Sequence, residues 1–111
     1  MPSFWPSLET PTDPPVAPAA SRIKPRTVEL YTSPWVSGTR AAAYFGPVMC
    51  KVKHRNDWDR TLDRAIFGVQ RIAARLGANS VVGVEMTIDP FAEPPLVTII
   101  GTAATLESMF G

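Results

Sequence analysis

An α+β fold is what this 111-residue sequence predicts: a β-α-β-β subunit with one long helix packed on a small antiparallel sheet. Three observations carry the reading. Asp57 to Leu76 sets Trp58, Leu62, Ile66, Val69, Ile72, Ala73 and Leu76 mostly at steps of three and four, the spacing of one helical face. Ser80 to Ile88 and Leu96 to Leu106 are rich in Val, Ile and Thr and bounded by Gly and Pro, so they read as strands. Ahead of the helix, Val48, Cys50 and Val52 alternate with Met49, Lys51 and Lys53, which puts the first set inward on a third strand.

The chain divides into a leader (residues 1–26), a domain (27–106) and a short tail (107–111). The leader holds seven of the twelve prolines, each of which removes a backbone donor and fixes φ. It reads as a disordered spacer, or as a docking segment anchored by Phe4 and Trp5, since exposed aromatics favour a partner surface. Thr27 to Tyr31 alternates and makes a short strand; Thr32-Ser33-Pro34 and Ser37-Gly38 then turn the chain. Arg40 to Lys53 is extended, with Gly46-Pro47 marking a bulge or an edge because proline cannot donate to a ladder.

Asn56 or Asp57 caps the helix start, and Gly77 ends it in a left-handed conformation. On the first strand after the helix, strict alternation puts Val82, Val84, Met86 and Ile88 on one face and Val81, Gly83, Glu85 and Thr87 on the other. The prolines of Asp89 to Pro95 close a hairpin. On the last strand, Leu96, Thr98, Ile100, Thr102, Ala104 and Leu106 alternate with Val97, Ile99, Gly101, Ala103 and Thr105. Both faces carry too much apolar surface for one to lie in water, and one helix covers only one of them. Copies of the chain are therefore expected to cover each other.

Composition narrows the function. A net charge of +1 argues against nucleic-acid or membrane binding through bulk charge. The single Cys50 excludes an internal disulfide and fits a reducing, cytoplasmic setting. No signal-peptide pattern opens the chain, and no apolar run approaches a membrane span.

The run Arg75-Leu76-Gly77-Ala78-Asn79-Ser80-Val81-Val82-Gly83-Val84, followed by Gly101-Thr102-Ala103, resembles the helix-to-strand junction and last strand of the bacterial YbjQ-like family. Tyr31-Thr32-Ser33, Gly38 and Tyr44-Phe45-Gly46-Pro47-Val48 resemble that family's opening segment. The resemblance spans about Val28 to Leu106. It implies a β-α-β-β subunit closing into a homopentameric ring, and a family described as heavy-metal-binding. This chain departs from the family in three ways. Only His54, Arg55 and Asn56 bridge strand and helix, Cys50 replaces a small residue, and the helix is rich in Arg rather than Glu.

Candidate chemistry is sparse. Cys50 and His54, with Asp57, Asp59 or Glu85 as further ligands, form the one set suited to a divalent transition metal such as zinc or copper. Continued extension through His54 would hold the two about 13 Å apart, so a bend or a second subunit is required. Cys50 with His54 lacks an orienting third group for nucleophilic catalysis. Asp57, Asp59 and Asp63 sit in the first helical turns, where the helix dipole favours them. No phosphate loop or dinucleotide fingerprint is present. Arg60, Arg64, Arg71 and Arg75 form one basic stripe, with Arg64, Arg71 and Arg75 the candidates for an acidic partner or anionic ligand. The sequence thus reads as a non-catalytic, self-associating binding or assembly module. An ion-binding protein is the alternative and a small enzyme of unknown reaction the third.

Overall fold

The computed structural model describes residues 23–110; the leader expectations, including Phe4 and Trp5, lie outside them. A 3-10 turn, Pro25–Thr27, leads to β1 (Glu29–Leu30), β2 (Thr39–Lys53), α1 (Trp58–Leu76), β3 (Ser80–Asp89) and β4 (Leu96–Ser108). The four strands form one sheet in the order β1-β3-β4-β2. β4 pairs antiparallel with both β2 and β3, whereas β1 runs parallel to β3 through Glu29 opposite Ser80 and Leu30 opposite Val81. The architecture is the expected one, with a mixed rather than purely antiparallel sheet.

The local chemistry at the helix ends explains its length. Asp57 is extended and its side chain accepts from the Asp59 N–H, satisfying one of the free donors of the first turn. At the other end Gly77 takes φ +90°, its N–H bonds the Ala74 carbonyl and the Ala78 N–H bonds the Ala73 carbonyl. This is the paired closure that a left-handed residue permits. Asn79 then extends the β3–β4 ladder with its side chain, donating to the Leu106 carbonyl and accepting from the Leu106 N–H. The junction motif is thus accounted for by backbone bonding.

One core lies between α1 and the sheet. Ala65, Val69, Ala73 and Ala74 of the helix meet Val48, Val81, Val97, Ile99 and Ala103, with Val28 and Ala78 at the margin. Small helix residues let the backbone approach closely at Gly68, where a Cβ would stand 2.3 Å from the Cys50 Sγ. Alanine normally gains about 1 kcal/mol over glycine inside a helix. Here Gly68→Ala is expected to lower the urea midpoint instead, and Cys50→Ala to restore it in the double variant. Equal midpoints for wild type and Gly68→Ala would contradict this contact.

Two expectations are corrected. Trp58 and Leu76, the two ends of the apolar stripe, are 41% and 39% exposed, and Trp58 stacks on His54. The strict alternation on β3 fails at Gly83 (φ +63°), where an extra residue enters between the Val82–Thr102 and Glu85–Ile100 pairs. Such a bulge reverses which residues face inward. Val81 and Val84 therefore pack with the core, while Val82 belongs to the opposite face.

Candidate functional site

The face of the sheet away from α1 is laid out by register. Cys50 points at Gly68 of the helix, and Val48 and Val52 pack on the same side, so Pro47, Met49, Lys51 and Lys53 point away. Three strands then align in rows across this second face: Pro47–Thr102–Val82, Met49–Ile100–Glu85, Lys51–Thr98–Thr87 and Lys53–Leu96–Asp89. The first two rows are mainly apolar and the last two mainly polar. The expected oily face is thus oily over half its length, and Val82 there is already buried.

The apolar half forms an open groove of about 490 Å³ lined by Pro47, Met49, Gly83, Glu85, Ile100 and Thr102. Met49 is 52% and Ile100 42% exposed, and Tyr44 and Phe45 stand exposed further along β2. Glu85 is the single ionisable group in the groove wall.

The predicted metal pair does not come together within one chain. Cys50 faces the helix, whereas the His54 Nδ1 lies 3.0 Å from the Thr61 hydroxyl and its ring stacks 3.7 Å from Trp58. Among the described residues, no three His, Cys, Asp or Glu side chains gather in a way that could hold a metal. The bend after Lys53 turns His54 to the helix start, where Thr61 is fully buried and also donates to the Asp57 carbonyl. His54 thus sits in a structural bonding network.

The basic stripe is spread out. Arg60 and Arg75 are fifteen residues apart, about 22 Å along the helix, too far for one small ligand. Arg64 donates to the Lys53 carbonyl, and Arg71 lies 6.0 Å from the Phe67 ring. Arg75 is exposed in the last turn. At the other end Arg55, Arg60 and Arg64 border an open cleft of about 770 Å³ that also carries Asp57 and Asp63. Those carboxylates offset part of its charge.

Sequence reasoning missed the role of Asp63. Arg26 clamps it with two bonds of 2.8 and 3.1 Å while lying 4.4 Å over the Phe67 ring. The Arg26 hydrogen bonds hold the Asp63 carboxyl below the ordinary aspartate value of 3.8. A depressed folded-state pKa contributes stability above the unfolded value and loses it as pH falls through the folded one. Carboxyl NMR is expected to show Asp63 titrating below 3.8 in the wild type and moving up in Arg26→Ala. An unmoved titration would contradict the clamp.

No helix among the described residues is long and apolar enough to cross a membrane. No family model matches the chain, and no curated protein matches it. Among solved structures, it is similar to a protein of unknown function of the DUF74 family from Pediococcus pentosaceus ATCC 25745. The identity is 11% and the TM-score 0.45, with 73% of this chain and 97% of that chain covered.

Proposed function

We propose that the protein is a non-catalytic, homo-oligomeric binding or assembly module whose subunits associate through the apolar half of the second sheet face. The observation that carries this is the Met49–Ile100 pair, half exposed in the groove. Apolar side chains gathered on one sheet face mark an interaction site more often than bare surface. Burying such area stabilises association by roughly 25 cal/mol per Å² before ordering costs. The resemblance to the YbjQ-like family supports a closed ring, with five subunits favoured. The compact bonding of His54 and the separation of Cys50 from it favour assembly over a metal site within one chain.

Methionine oxidation tests the proposal. Met49 and Met109 are 52% and 57% exposed in the lone subunit, so dilute peroxide would oxidise them at similar rates. The assembly predicts Met49 to be markedly slower than Met109, as read by peptide mass spectrometry. Equal rates would overturn the proposed interface.

A further inference from the structure

The two outer edges of the sheet differ in a way that identifies how copies meet. β1 occupies only the start of the β3 edge: Glu29 and Leu30 pair with Ser80 and Val81, and Tyr31 and Ser33 bond Val84 and Gly83. From Glu85 to Asp89 that edge has no strand beside it among the described residues. The outer edge of β2, fifteen residues long, is likewise unpaired among them. Open edges of this kind are templates for another strand.

The geometry points to parallel pairing of Val48–Lys53 on one copy's β2 with Glu85–Asp89 on a neighbour's β3. The inference rests on the self-association proposed above and adds to its face contact a second contact at the sheet edge. Within one sheet, Lys53, Leu96 and Asp89 share a level, as do Lys51, Thr98 and Thr87, and Met49, Ile100 and Glu85. A neighbour placed in the same orientation and unshifted sets its Lys53 beside Asp89 and its Lys51 beside Thr87, diagonal to Glu85. Two lysines thus meet two carboxylates on the second face, the sign of cross-strand pair that stabilises a sheet. On the helix side, Cys50 and Val52 of the incoming strand fall beside Met86 and Ile88, which are 45% and 46% exposed because α1 does not cover them.

The strand also bends where it must. Beyond Pro47, which has no N–H to give, β2 carries irregularities between Tyr44 and Gly46 and between Ala41 and Ala43. That is the level at which β1 already fills the β3 edge. Because the two edges are different surfaces, the contact is head-to-tail; it gives a ring when the rotation from copy to copy closes and an open filament when it does not.

Adjacent strands lie about 4.8 Å apart, within the range a disulfide spans. The test places Lys51→Cys and Thr87→Cys, both exposed positions, in a Cys50→Ala chain and oxidises the full-length protein. The expected result on a denaturing, non-reducing gel is a ladder of covalent multimers ending at the ring size, with no multimers from either single variant. Dimers from Thr87→Cys alone would show two β3 edges pairing and overturn the inference. A multimer by light scattering that forms no ladder would overturn this contact and leave the self-association reading standing. A monomer would overturn both.

Discussion

Gly101→Ala is expected to lower stability by about 3 kcal/mol, the upper part of the range for overpacking a core. Gly101 lies on the helix side of β4, the strand flanked on both sides. A Cβ there would sit 2.5 Å from the Val81 Cγ1, 3.2 Å from the Val84 Cγ2 and 3.2 Å from the Val82 carbonyl oxygen. Two of the three obstacles are branched side chains with stiff χ1 angles, and the third is backbone. None is the free end of a flexible chain. The close approach is produced by the Gly83 bulge, which brings both Val81 and Val84 to the inner face. For a small domain of ordinary marginal stability, the loss would show as a large fall in the urea midpoint with unchanged slope. A midpoint within error of wild type would mean that β3 and β4 are not this close.

Ile100→Lys is expected to abolish assembly while leaving the subunit folded. Ile100 is 42% exposed in the lone subunit and stands between Met49 and Glu85 in register. A lysine at that site can keep its ammonium in water and face the Glu85 carboxylate, so the monomer has little reason to unfold. A copy packed over the groove would instead strip water from a charge, which costs several kcal/mol. Each 1.4 kcal/mol is a tenfold change in association, so dissociation at micromolar concentration follows. Light scattering would read the mass and circular dichroism the fold. An unchanged mass with an unchanged spectrum would place the interface elsewhere.

What the sequence disclosed about the fold followed from how local each signal is. The helix was legible to within a residue because Asp57 and Gly77 cap it through bonds made a few positions away. The hairpin was legible from the prolines between Asp89 and Leu96. The parallel seat of β1 was not, because Leu30 finds Val81 across fifty residues and no local pattern encodes the choice. Gly83 looks like an ordinary member of a strand, yet the bulge at its positive φ shifts the alternation after it, so that Val84 faces inward although Val82, two residues earlier, faces outward. That shift also explains the half-apolar second face: Glu85 and Thr87 follow Val82 there. Of the candidate site residues, Cys50 and His54 stand out in the sequence by ligand type, which carries no information on direction. The groove residues Met49 and Ile100 were visible as an apolar excess but could be paired only once the register was known.

On the proposed reading this subunit does not exist alone at working concentration. Light scattering of the full-length wild-type chain at about ten micromolar tests it most directly. A single species at an integer multiple of 12.1 kDa is expected, with fivefold favoured by the proposed ring. A stable species at 12.1 kDa would contradict it.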